Sequence, residues 1–176
     1  MANGFLTNAL KIFRQYQELG TKTIQSLDDE QLHWEPSDGA NSIAVIVQHL
    51  SGNMRSRFTD FLTTDGEKPT RNRDAEFEPN ADLTKVALVA MWNNGWQIVY
   101  DALQPLSEND LTCDVTIRGE EHTVLEAVQR QVAHYAYHVG QIVYLGKVLL
   151  GENWESLSIP RGGSDAFNRD MQKRNG

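Results

Sequence analysis

Apolar residues recur at helical spacing through most of the chain, and the places where that spacing fails divide it into segments. Phe5, Leu6, Ala9, Ile12, Phe13, Tyr16, Leu19 and Ile24 fall on one face of a helix predicted from Phe5 to Leu27, with polar residues between them. Leu27 to Leu32 adds a short turn. Pro36 disfavours helix in the residue before it, so His33-Trp34-Glu35-Pro36 breaks the pattern and Asp38-Gly39-Ala40-Asn41 reads as a loop. A second helix is predicted from Asn41 or Ser42, either of which can cap the free amides of the first turn, to a C-terminal cap near Asp65-Gly66. Its apolar stripe is Ile43, Ile46, Val47, Leu50, Met54, Phe58, Phe61 and Leu62.

Glu67 to Asn80 is charged, carries Pro69 and Pro79, and is the one linker-like stretch between helices. Antiparallel neighbours need only a short turn, so a connection this long can cross the fold and let the helices on either side run parallel. A third helix opens at Asp82 or a neighbouring residue and closes at Pro105. Leu83, Val86, Ala87, Ala90, Met91, Ile98, Val99 and Leu103 stand at core spacing, and Trp92, Trp96 and Tyr100 form a second line that reads as packing. Cys113 to His122 alternates and is rich in β-branched residues, with Arg118-Gly119 near a turn, which predicts a small hairpin leaning on the helices. Thr123 and Glu126 form a capping box for the fourth helix. Val124, Val128, Val132, Tyr135, Val139, Ile142, Leu145 and Leu149 are its core face, and Gly151 ends it. The tail from Glu152 to Gly176 is polar, carries Ser158-Ile159-Pro160-Arg161-Gly162-Gly163-Ser164, and has room for a last short helix from Ser164. The fold class is therefore all-α: one domain spanning residues 1–176, a four-helix bundle with a long crossover between helices two and three and a small β-hairpin before helix four.

Composition narrows the function classes. At 176 residues the chain suits one compact domain. A net charge of −8 argues against a nucleic-acid partner, because phosphate binding needs a basic surface. The lone Cys113 cannot form an internal disulfide, and with no base beside it the thiol reads as passive. Met1-Ala2-Asn3-Gly4 shows no basic region followed by an apolar run, and Ile142 to Leu150, interrupted by Lys147, is too short to span a bilayer. No membrane association and a cytoplasmic location are expected.

Against this background the histidines stand out. His134 and His138 lie four residues apart on the fourth helix, so both imidazoles face one side, one turn apart. His49 sits in the second helix, also beside an apolar stripe. Neutral imidazoles suit zinc, nickel, copper and iron, and three protein nitrogens leave a coordination position open for water or substrate. His33 and His122 lie in connections and read as solvated. A His-Glu-x-x-His protease motif is absent, since Tyr135 stands where its glutamate would be. Arg161, beside two glycines, is a candidate for holding a carboxylate or phosphate of a cofactor, and equally reads as a surface charge. His33, Trp34 and Tyr137 are candidates for lining a pocket at the metal.

Asn41-Ser42-Ile43-Ala44 leading to Gln48-His49-Leu50, and His134-Tyr135-Ala136-Tyr137-His138-Val139-Gly140-Gln141-Ile142, resemble the DinB/YfiT superfamily. The spacer Asp65-Gly66-Glu67-Lys68-Pro69 and the tail Ser158 to Gly163 resemble an uncharacterised branch of it. The resemblance implies a four-helix bundle with the crossover, often a homodimer, and a divalent metal held by His49, His134 and His138. Members include transferases and isomerases that use bacillithiol, mycothiol or glutathione, together with proteins of no known activity. The expected function is a metal-dependent enzyme acting on a small molecule. A low-molecular-weight thiol or a water would be its nucleophile, for S-transfer or hydrolysis. The alternative is a non-catalytic, metal-binding or stress-associated dimeric module.

Overall fold

A computed structural model describes residues 4–175; Met1, Ala2 and Asn3, on which the expected lack of a signal sequence rests, lie outside the described residues, as does Gly176. Among the described residues the chain forms six α-helices and one two-stranded antiparallel hairpin. They are α1 (Phe5–Ser26), α2 (Asp29–His33), α3 (Ile43–Phe58), α4 (Lys85–Leu103), β1 (Asp114–Ile117), β2 (Glu120–Thr123), α5 (Val124–Leu150) and α6 (Ser164–Asn175). No helix among these is long and apolar enough to cross a membrane.

Most helix starts follow local side-chain chemistry. Asp28 closes a capping box with Gln31, and Thr123 does so with Glu126. The hydroxyls of Ser42 and Thr84 accept the N–H groups of Val45 and Ala87, so Thr84, two residues after Asp82, is the cap of α4. The N-terminus of α1 is different. Gly4 has no side chain to cap it, and the N–H groups of Phe5 and Leu6 donate instead to the Glu108 carboxylate at 3.1 and 3.0 Å.

Cross-contacts set the helix directions. Phe13 meets Tyr135, and Thr23 lies against Gly146, so α1 and α5 run parallel. Thr21 accepts from Trp92 Nε1, and Gln17 from the Tyr100 hydroxyl, so α4 runs antiparallel to α1. His49 faces His138 while Asn53 accepts from the Tyr135 hydroxyl at 3.2 Å, so α3 runs antiparallel to α5. The pair α3 and α4 is therefore parallel, which only a crossover permits. α3 is packed against α4 and α5, and α1 against the same two helices.

Two expectations are corrected. The second helix ends at Phe58, not near Asp65-Gly66. Asp60 turns to φ +49° and its carbonyl takes the N–H groups of Thr63 and Thr64, which stops helical propagation. Gly66 is buried instead of capping: its carbonyl accepts from Ser56 and Arg57 and its N–H donates to the Thr116 carbonyl of the hairpin. In the third helix the aromatic line is buried as packing, as expected, together with Val99 and Leu103 of the aliphatic stripe, but the start of that stripe is not. Leu88, Trp92, Trp96, Val99, Tyr100 and Leu103 are its core, whereas Val86 is 79% exposed and Ala90 is also exposed. The aromatic line carries more apolar surface than the aliphatic one, so burial favours it. The crossover carries a 3₁₀ turn at Asp74–Phe77 that lies against α3.

The hairpin forms as expected around Arg118-Gly119, with Asp114 opposite Thr123 and Ile117 opposite Glu120. Its two-residue turn has φ +57° at Arg118 and +76° at Gly119, the geometry that suits the strand twist. An arginine is strained there, and the Asp65 carboxylate offsets it by accepting both turn N–H groups, at 2.9 and 2.8 Å.

Candidate metal centre

His49 projects from the middle of α3, and His134 and His138 project from the facing side of α5. His49 and His138 are buried and His134 is half-buried. Their ligand atoms all lie within 4.8 Å of one another. The closest pair, His49 Nε2 and His134 Nε2, is 3.3 Å apart. Two nitrogens each about 2.05 Å from one tetrahedral ion stand roughly 3.3 Å apart, so this spacing fits a shared metal.

The second nitrogens are tied back. His49 Nδ1 donates to Glu76 Oε2 at 3.0 Å, and a carboxylate can only accept, so the proton is on Nδ1 and the Nε2 lone pair points inward. His138 Nδ1 donates to Gln141 Oε1 at 2.9 Å and leaves its Nε2 free in the same way. Such outer partners fix tautomer and ring orientation in metal sites. Phe77 lies over the His49 ring with centroids 4.5 Å apart, and Tyr137, 64% exposed, meets the His138 ring at 4.9 Å.

Electrostatics keep His134 and His138 neutral. Burial, then the neighbouring His138 and His49, then Arg57 and Arg71, push His134 down to about 3. Burial also lowers His138, with the Gln141 bond working against it and His49 working with it. Neutral imidazole is the ligating form, so these ligands need release no proton to take up an ion near pH 7. Burial acts to raise the Glu76 carboxyl, but hydrogen bonds from Arg71 and His49 prevail and hold it below its ordinary value. Arg71 grips both Glu76 oxygens at 2.7 and 2.8 Å. It also reaches Glu67, which pairs with Arg57 and, on the hairpin turn, Arg118. The crossover thus links the hairpin to the histidines through alternating charges.

The other sequence candidates lie elsewhere. His33 Nε2 donates to the Leu83 carbonyl at 2.8 Å and braces α2 against the approach to α4. Trp34 is on the surface, and His122 is on β2 near Glu120. Cys113 is exposed beside the hairpin. Arg161 lines a cavity formed by the tail and α5, and none of the three histidines lines that cavity. Sequence reasoning missed Glu76, Arg71 and Gln141. Gln141 was within reach, since it follows His138 by three residues on one helix face. Glu76 carried no signal, being one acid among many in a charged connection.

Three converging imidazoles, two of them oriented by outer hydrogen bonds, form a group that could hold a metal ion, and among the described residues no fourth acid, histidine or cysteine joins them. No curated protein matches the chain in sequence. A family model described as protein of unknown function (DUF1572) matches residues 1–163, and the chain belongs to that family.

Proposed function

We propose that this protein is a divalent-metal-dependent enzyme acting on a small molecule, with His49, His134 and His138 as the metal ligands. The single observation that carries the reading is the convergence of three buried or half-buried imidazoles with two of their outer nitrogens already bonded. Membership of the unknown-function family and the resemblance to the DinB/YfiT superfamily support it, as does the four-helix-bundle reading of α1, α3, α4 and α5 as a single domain.

When bound, a zinc, nickel or iron ion supplies Lewis acidity that lowers the pKa of a water or thiol reaching it. The chain's own residues do the rest. Glu76 and Gln141 aim His49 and His138, the half-buried His134 borders the approach, and Tyr137 stands at the rim. Both Glu76 oxygens are engaged, so no free carboxylate base is supplied by that residue. A nucleophile acidified by the ion itself suits such a site, which favours a low-molecular-weight thiol in S-transfer, with hydrolysis by water as the variant. The same engagement of Glu76 favours a second reading, a metal-binding module without turnover. Homodimer formation belongs to the proposal, and the exposed Tyr137, Tyr144 and Val148 on α5 would serve it.

Elemental analysis of the native protein and of His134→Ala tests the site: about one ion per chain is expected, lost in the variant. A screen of thiols against electrophiles then tests the activity. Metal retained by His134→Ala would remove the proposed centre, and a loaded protein inert across a broad screen would leave the non-catalytic module.

A further inference from the structure

The tail motif that no part of the metal site uses builds a second site. Trp154 folds back on α5 where Gly146 leaves room; a Cβ at Gly146 would meet the Trp154 ring at 3.4 Å and Thr23 closer still. Further on, the Gly163 N–H donates to the Pro160 carbonyl at 2.9 Å, with Gly162 at φ +81°. That closed turn holds Arg161 at its first central position. Between this turn, α1 and α5 lies a cavity of about 680 Å³, inside the range of roughly 300–1,000 Å³ typical of small-molecule sites. Leu19, Val143, Trp154 and Leu157 supply apolar wall, and Lys147 and Arg161 supply the charge.

None of the lining residues is acidic. Among the described residues neither Lys147 nor Arg161 has an ion-pair partner, in a chain whose net charge is −8. Two unpaired cations over an apolar floor complement one chemical class. We propose that this cavity binds an amphiphilic organic anion, a carboxylate head on an unbranched apolar body, with Arg161 and Lys147 on the head and Trp154 and Val143 along the body. The Arg161 guanidinium matches a carboxylate in two parallel hydrogen bonds, which a lysine alone cannot offer. Lys147 follows His138 by nine residues, half a revolution round α5 at about 100° per residue, so the site is on the side of α5 away from the histidines. It does not depend on metal.

Titration calorimetry of the full-length protein with decanoate, kept below its micellar concentration, tests the proposal, with decanol as the uncharged control. One decanoate per chain is expected, with decanol at least about tenfold weaker. Arg161→Gln and Lys147→Gln should each weaken decanoate by about tenfold, the loss of one charge-assisted contact. Val143→Trp, checked for an unchanged circular dichroism spectrum, should abolish binding by filling the cavity. His134→Ala should leave decanoate affinity unchanged. Absence of decanoate binding, equal binding of decanol, unchanged affinity in Arg161→Gln, retained binding in Val143→Trp, or loss in His134→Ala would each overturn the proposal.

Discussion

His49 is aimed by one acid that sits 27 positions further along the chain, Glu76, and that dependence can be measured. Glu76→Gln keeps a hydrogen-bond acceptor but removes the charge that favours the protonated Nδ1 and holds Arg71. Metal affinity should fall about tenfold or more, the usual cost of losing an outer-shell partner, while the secondary structure persists. Competition with a chromophoric chelator reads this directly, and an unchanged affinity would mean His49 needs no such support. Protonation has a fixed sign here. His134 titrates near 3 in the folded chain, whereas an unperturbed histidine does so at 6.5, and His138 is shifted the same way. Above pH 6.5 both states carry neutral imidazoles and these groups leave stability intact. As pH falls from 6.5 towards 3, the unfolded chain takes up protons that the folded one refuses, so stability is lost across that window. Glu76, held below its ordinary 4.5, adds a further loss at the acid end. Denaturant melts of metal-free protein from pH 8 to 4 should therefore show a declining midpoint, and a flat profile would contradict the buried, neutral assignment.

At the scale of elements, α4 teaches most about reading the sequence. Two apolar lines run along it, and periodicity alone cannot say which one faces inward. Trp92 and Trp96 are buried and Val86 is exposed because α1 and α3 present their facing grooves to the larger rings. Trp92→Ala should cost about 3–5 kcal/mol in chemical denaturation, and Val86→Asn no more than about 0.5 kcal/mol. Reversed magnitudes would restore the aliphatic line as core. The end of α3 was misplaced for a related reason: Asp65-Gly66 has the composition of a helix cap, yet both residues belong to the clasp between crossover and hairpin. By contrast, Ser42, Thr123 and Glu126 were legible, since capping is decided within one turn of chain.

For the whole molecule, the core is continuous from Phe13 through Trp96 and Tyr135 to α3, an apolar cluster apart from the three histidines. Removing the ion with a chelator should leave the helical circular dichroism intact and lower the thermal midpoint. A bound ion at a hundred times its dissociation constant contributes about 2.7 kcal/mol. Collapse of the helical signal on chelation would make the metal a structural one.

The sequence by itself determined the helical class, the hairpin, the local caps and the three histidines, because each rests on spacing within a few residues or on a residue type with one strong chemical use. Only the tertiary structure decided which face of α4 is buried, where α3 stops, that Glu108 caps α1, and that Glu76 and Arg71 stand behind His49. Apart from the end of α3, which Asp60 and its neighbours set locally, those outcomes depend on groups brought together across 27 to 103 positions of chain, and local pattern carries no information about such distances. Arg161 shows the same division. The sequence marks it as a candidate anion-holding residue beside two glycines, but the cavity it serves, on the far side of α5 from the histidines, exists only once the tail folds back.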